Sequence, residues 1–384
     1  MFIRPKDQSE SNQSIWLDVL RGLAIFGVVM VHTTEFLFQK LGYNVTWITS
    51  KFLLGKYGVE LFFFLSGWLL CSIYGISGNK LTRKYWLRRF ARIYPLWVLF
   101  MVYQLVKWQF FSTSSGNLIK SSAAPNETFF TFDTFSLIFL TLTFTLFFSD
   151  VLWNSVIPGG WSIQAEVAHY ILFSVLRNKN MNRIFLITSF VNIFTFCLVK
   201  FSPLYFDQGN FFYKLIHAYL RLGVYSTFGF FLLGIVAFLF INSSSASSSL
   251  IKITGRFGLF NSSFLCFFMT FFLIPCPFGS QIEAVVIVTL ILVISLPILQ
   301  NDFLTRIFKL FGKYSYFIYF MHYLVISWLD RVVLFYKLTP GDRIPFAVTF
   351  FVVYFTVMLL SLAGAMVSFR YIERPAIEWA RKFS

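Results

Sequence analysis

The sequence predicts an all-α protein: a polytopic transmembrane helical bundle of about ten spans with both termini in the cytoplasm. Three observations carry this expectation. Apolar segments of about 20 residues, the length that crosses a bilayer core, recur from residue 15 to residue 369. Only 12% of the 384 residues are charged and 57% are hydrophobic, and mean hydropathy is +0.71; a soluble domain carries about twice that charged fraction. The basic residues behind the net charge of +16 gather in short loops between apolar segments. That is the positive-inside pattern, and it excludes a nucleic-acid-binding surface as the reason for the charge.

Taken in order, residues 1–14 form a polar cytoplasmic leader with no small-residue cleavage pattern, and residues 15–378 form the membrane domain. Spans are expected near 15–36, 58–76, 93–111, 161–176, 184–201, 222–241, 257–275, 282–300, 315–335 and 345–369, followed by a cytoplasmic tail at 379–384. The loop 77–92 holds Lys80, Arg83, Lys84, Arg88, Arg89 and Arg92 and belongs inside. The apolar segment Phe132–Phe148 decides the count. If it re-enters or lies in the interface, the basic clusters at 177–183, Lys252 with Arg256, Arg306 with Lys309 and Lys313, and Arg370–Lys382 all stay inside, which gives ten spans. If it crosses, there are eleven. Ten keeps more of the basic clusters on one side. Ile241–Leu250 contains a serine-rich polar linker, and Asn126-Glu127-Thr128 is a glycosylation-type triplet. Cys71, Cys197, Cys266 and Cys276 sit in or beside apolar stretches without metal-ligand spacing, so they read as packing residues, with no metal site implied. Nothing resembles an appended soluble catalytic domain, so the chemistry is expected inside the bundle.

The first span holds the most unusual pattern. Trp16–Glu35 is apolar enough to cross a bilayer yet carries Asp18, Arg21, His32 and Glu35. Arg21 and His32 are eleven residues apart, which is three helical turns plus roughly 20°, with about 16 Å between them along the axis. Asp18 lies one turn before Arg21 and Glu35 one turn after His32, so the four share one stripe roughly 100° wide. Ionisable groups in a span face a protein interior or a wet cavity, and this stripe is the active-site candidate.

Five further blocks add candidates. Gly58–Gly67 places Glu60 at the start of a span and Ser66 with Gly67 at its middle, where small residues serve helix packing or leave room for a ligand. Arg88, Arg89 and Arg92 precede Pro95, and arginines on one cytoplasmic face suit phosphate, either of a ligand or of lipid headgroups. Pro158–Glu166 carries Trp161, Ser162 and Glu166; a carboxylate close to His32 would orient that imidazole and raise its basicity. Gly312–His322 runs from a basic loop into a span with a second histidine, His322. Tyr371–Pro375 closes the last span.

In this order the blocks LDVLRGLA…H, GVELFFFLSGWLL, RRFARIYPLW, GGWSIQAEVAHYI, GKYSYFIYFMH and YIERP resemble the acyltransferase-3 family of integral membrane O-acyltransferases, over about residues 15–378. Ala168-His169-Tyr170 departs from the aromatic residue that usually follows the glutamate block. The resemblance implies transfer of an acyl group, commonly acetyl, from a cytoplasmic acyl-CoA such as acetyl-CoA to an acceptor hydroxyl. The acceptor class is an envelope polysaccharide sugar or lipid-linked glycan, and the expected location is a bacterial inner membrane, with membrane lipids as surroundings. Under it, His32 is the general base, with an acyl-histidine intermediate as the second route. Glu166 orients the base, and Arg21 lines the donor channel or positions His32 through a water. Arg88, Arg89 and Arg92 hold donor phosphates, and Asp18, Glu35, Glu60, Ser66, Trp161, Ser162 and His322 line the substrate pocket. The absence of an extracytoplasmic domain suggests one-step transfer to the acceptor. The rival reading is a proton-coupled transporter or flippase using the Asp/Arg/His/Glu stripe as a relay. Inverted repeats and paired broken helices, which transporters usually show, are not evident.

Overall fold

The computed structural model describes residues 7–44, 55, 57–75, 83–111, 134–144, 156–176, 224–241, 301–336 and 344–383, with single positions at 183, 186, 187 and 190. Among the described residues all regular structure is helical. The elements are α1 (Asp7–Lys40), α2 (Gly58–Tyr74), α3 (Arg83–Phe111), α4 (Thr134–Leu142), α5 (Gly160–Leu176), α6 (Val224–Ile241), α7 (Asp302–Tyr336) and α8 (Phe346–Ser368). A five-residue π-helical turn, Phe369–Glu373, leads into α9 (Arg374–Lys382). Among the described residues two stretches are long and apolar enough to cross a membrane, Ile15–Lys40 and Phe346–Lys382, and two shorter apolar helices are Gly58–Tyr74 and Thr227–Leu239. The spans expected at 257–275 and 282–300, most of 184–201, three of the cysteines, the glycosylation-type triplet and nearly all of the serine-rich linker lie outside the described residues.

Several boundaries differ from the sequence expectation: α7 begins at Asp302, so Arg306, Lys309 and Lys313 stand on a helix where a basic loop was expected. Helix α1 begins at Asp7, so the second half of the polar leader is already helical. Helix α3 begins at Arg83, so Arg88, Arg89 and Arg92 stand on a helix where a loop was expected. Leu, Lys and Arg are good helix formers, and Pro95 is accommodated within the continuous helix. Within Phe132–Phe148 the helix is the nine-residue α4, which rises about 14 Å and ends in a turn where Phe144 has φ 56°.

The chain forms two compact units, residues 1–62 with 286–379 and residues 63–285 with 380–384. In the first, α1 packs along α7, and α8 packs on both. Helices α1 and α7 run parallel: His32 stacks on His322 and Lys40 pairs with Asp330 at 3.5 Å, each pair offset by 290 residues (322 − 32 and 330 − 40). The two backbones touch where glycine permits it. A Cβ on Gly22 would collide with the Phe308 carbonyl, and one on Gly312 with the Asp18 carbonyl. Small residues at such crossings let helices approach until their backbones meet. Helix α8 is antiparallel to α1: the Tyr43 hydroxyl donates to Ile344 O at 2.9 Å, and Tyr354 donates to Phe26 O at 3.0 Å.

In the second unit α3 and α5 are antiparallel. The Tyr85 hydroxyl donates to Tyr170 O at 3.2 Å, and a Cβ on Gly160 would sit 3.0 Å from the Trp97 ring. Trp97 Nε1–H donates to Thr141 O at 2.8 Å, docking the end of α4 on α3. Helices α2 and α6 cross through a reciprocal glycine pair: Gly67 lies against the Phe231 carbonyl and Gly234 against the Phe64 carbonyl. Gly67 is thus a packing residue, and Ser66 beside it is half-buried.

Candidate functional site

The first unit builds a polar chain across α1 and α7. His32 and Glu35 lie one turn apart on α1, and Glu35 Oε2 is 2.9 Å from His32 Nδ1. The phenol of Tyr323, on α7, is 2.7 Å from His32 Nε2. An ionised carboxylate only accepts hydrogen bonds, so Nδ1 carries the proton and Nε2 presents a lone pair to the phenol O–H. His322 is fully buried, and its Nδ1–H donates to Ile318 O at 3.1 Å, which leaves Nε2 as the unprotonated nitrogen. The three rings form one cluster: His32 and His322 centroids are 5.3 Å apart, His32 and Tyr323 4.6 Å, and His322 and Tyr323 4.1 Å. His32 keeps a quarter of its side-chain surface and Glu35 nearly half, so the chain is reachable from one side. Nearer the start of α1, Arg21 pairs with Asp18 at 3.0 Å. Two i,i+3 pairs therefore mark the stripe, separated by the same 16 Å or so that the helix geometry demands. Glu60 is half-buried in the first turn of α2.

The second unit builds a different cluster around Arg89. This side chain is 8% exposed, and its guanidinium carbon lies 5.2 Å from the Tyr170 ring, 5.4 Å from Tyr74 and 5.8 Å from Tyr85. Arg is weakly hydrated and planar, so it fits against aromatic faces where Lys would not. The Tyr170 hydroxyl donates to Glu166 Oε1. A recess beside Arg89 is lined by Trp86, Phe90, Ile93, Phe144 and Val167 as well as Tyr170. Arg88 is exposed and Arg92 half-buried. Ser162 is buried and donates to Gly159 O at 3.1 Å, and Trp161 packs beside Phe63. His169 is fully buried, stacked at 4.6 Å on Phe231, with Nε2 3.1 Å from the Thr227 hydroxyl.

Of the residues singled out from sequence, His32, Glu35 and His322 meet, and Arg89 and Glu166 are joined through Tyr170. The carboxylate on His32 is Glu35, its own helical neighbour, while Glu166 takes the phenol of Tyr170. Sequence reasoning passed over Tyr323 and Tyr170. For Tyr323 the signal was adjacency to His322; for Tyr170, the i,i+4 spacing from Glu166.

A family model described as an acyltransferase domain matches residues 14–370. A Staphylococcus aureus (strain COL) protein named "Putative O-acetyltransferase" is 25% identical over 387 residues, covering 94% of this chain and 56% of that protein. A protein of the same name from Staphylococcus aureus strain MSSA476 matches to the same extent. A Bacillus subtilis (strain 168) protein named "Putative peptidoglycan O-acetyltransferase" is 28% identical over 167 residues, 41% of this chain and 22% of that one. The chain spans about half the length of the staphylococcal relatives, at 56%. No solved structure matches it. With a match running almost from end to end, the chain belongs to the acyltransferase-3 family of integral membrane O-acyltransferases.

Proposed function

We propose that this chain transfers an acyl group, acetyl above all, from acyl-CoA at the cytoplasmic face to a hydroxyl of an envelope glycan or lipid-linked sugar in a bacterial inner membrane. The observation that carries the reading is the Tyr323–His32–Glu35 chain. An imidazole whose far nitrogen is held by a carboxylate and whose near nitrogen meets a hydroxyl is equipped to take a proton from an alcohol as it attacks a thioester. Glu35 fixes the tautomer and stabilises the imidazolium that forms. Arg88 and Arg92 meet the donor's phosphates, and the Arg89–tyrosine cluster forms the floor beneath them. Coenzyme A supplies the activated acyl group as a thioester, and the acceptor hydroxyl displaces its thiol. The names of the staphylococcal and Bacillus relatives support O-acetylation, and the latter supports a glycan acceptor.

Ten spans with cytoplasmic termini fit helix direction within each unit. The antiparallel α3 and α5 fit a Phe132–Phe148 segment that returns to the side it entered from. Parallel α1 and α7 need an odd number of crossings between them, which seven spans supply. An eleventh span would reverse α7 against α1.

The reading is tested on full-length protein purified in detergent, following coenzyme A release from acetyl-CoA with and without envelope glycan fragments. Wild type is expected to release thiol in an acceptor-dependent way. His32→Ala is expected to bind acetyl-CoA but not turn it over, and Arg88→Ala with Arg92→Ala to lose binding. Wild-type protein that neither binds nor consumes acetyl-CoA, combined with proton-driven solute uptake that His32→Ala abolishes, would favour the transporter instead.

A further inference from the structure

The geometry points to Tyr323 as a catalytic residue: its phenol stands between the base and the acceptor, receiving the acceptor's proton while passing its own to His32 Nε2. This rests on the acyltransferase reading above and adds a participant to the same site. Of the two nitrogens of His32, Nδ1 is committed to Glu35 at 2.9 Å, so Nε2 alone is available to collect a proton. That nitrogen already faces the Tyr323 oxygen at 2.7 Å. A substrate hydroxyl therefore reaches the base either by evicting the phenol or through it.

Eviction is opposed by the packing. The Tyr323 ring lies 4.1 Å from the His322 ring and 4.6 Å from the His32 ring, centroid to centroid. His322 is itself fully buried and tied to the α7 backbone through Ile318 O at 3.1 Å. To swing the phenol off Nε2 the ring must slide past the fully buried His322 imidazole, which has no room to yield. The route through the phenol needs no such movement. It requires only that the acceptor hydroxyl approach the Tyr323 oxygen from the side opposite His32.

In that step the acceptor oxygen bonds to the acyl carbon of the thioester and its proton moves to the Tyr323 oxygen. At the same time the original phenol proton moves to His32 Nε2, leaving an imidazolium held by the Glu35 carboxylate. Tyr323 ends the step as it began, a neutral phenol. The C–S bond then breaks, the electron pair leaves with sulfur, and the imidazolium proton returns along the same path to the thiolate. Ester and thiol are the products, and His32 is neutral again.

The test uses full-length protein in detergent with acetyl-CoA and glycan fragments, comparing wild type, His32→Ala, Tyr323→Phe and protein carrying 2,3-difluorotyrosine at position 323. Tyr323→Phe keeps the ring stack and is expected to lower kcat by about 10²-fold or more, the size of a lost acid–base group, with donor affinity unchanged. Difluorotyrosine, which keeps the shape and acidifies the phenol, is expected to shift the pH profile of kcat toward acid. Wild-type or higher kcat in Tyr323→Phe overturns the proposal, because a phenol that merely caps Nε2 frees the base when it is removed. An unshifted profile with difluorotyrosine overturns it as well, and covers the case of a misfolded Phe variant. Failure of wild type to turn over acetyl-CoA overturns the acyltransferase reading itself, which the His32→Ala comparison reports separately.

Discussion

Gly312→Ala offers a test of how tightly the fold holds the chemistry, at a residue that touches none of it. The added methyl would collide with the Asp18 carbonyl on α1, a backbone atom that cannot swing aside. To reach ordinary contact of about 3.5–4.0 Å, α1 and α7 must part by roughly 1 Å or more at that crossing. His322 and Tyr323 lie ten and eleven residues further along α7, about 15 Å away, and the parallel packing carries the separation toward them. A Tyr323–His32 contact of 2.7 Å stretched by 1 Å is no longer a hydrogen bond. Overpacking of this kind costs about 1–3 kcal/mol of stability, and misplacing reacting groups by about 1 Å costs on the order of 10² in rate. Steady-state coenzyme A release and thermal unfolding in detergent, measured side by side, read both effects. The matched control is Gly364→Ala, whose methyl would meet the flexible end of Met321 at 3.2 Å and the edge of the Phe317 ring at 3.3 Å, side chains rather than backbone, and is expected to leave kcat within about twofold. Wild-type kcat in Gly312→Ala would show that the α1–α7 contact does not set the site geometry, and the reasoning from backbone proximity to catalysis would fall.

Three other outcomes follow from the same geometry. Glu35→Ala is expected to lower kcat about 10-fold through loss of a charge-assisted hydrogen bond, the effect being moderated by solvent because the carboxylate is nearly half exposed, and steady-state kinetics checks it. Arg89→Lys, which trades a planar cation among three tyrosine rings for a compact ammonium, is expected to lower the unfolding temperature and weaken acetyl-CoA binding about 10-fold, read by thermal scanning and calorimetric titration. His169→Phe, by contrast, places one more ring among Phe63, Phe228 and Phe231 and is expected to cost under about 1.5 kcal/mol with coenzyme A release unchanged; a large loss of turnover there would give His169 a part in the chemistry.

The α1 stripe was legible in the sequence because a helix converts spacing into neighbourhood. Asp18 with Arg21 and His32 with Glu35 are i,i+3 pairs, and both form. What lies across the chain was not legible by the same means. The sequence offered Glu166 as the carboxylate for His32, since a carboxylate close to a histidine orients the imidazole and raises its basicity. Periodicity has no term for the 291 residues between His32 and Tyr323, so the phenol on Nε2 could emerge only from packing. The arginines show the same limit at shorter range. Their charge marked a cytoplasmic face, but a hydropathy profile cannot see that Arg89 turns inward onto three tyrosines while Arg88 points out. Phe132–Phe148 is apolar throughout, and composition alone does not reveal that its helix stops after nine residues at a turn.

The 290-residue offset between the parallel helices also bears on how the protein is made. Translation at about 5–20 residues per second leaves roughly 15–60 s between emergence of His32 and emergence of its α7 partners. Throughout that interval α1 carries a carboxylate, a guanidinium, an imidazole and a second carboxylate on one face without α7 beside it. Its two i,i+3 pairs make that tenable, because each charged group finds a partner within its own helix before any neighbour arrives. The polar face of α1 is therefore paired within its own helix from the outset, and the contact between His32 and Tyr323 forms only once α7 docks.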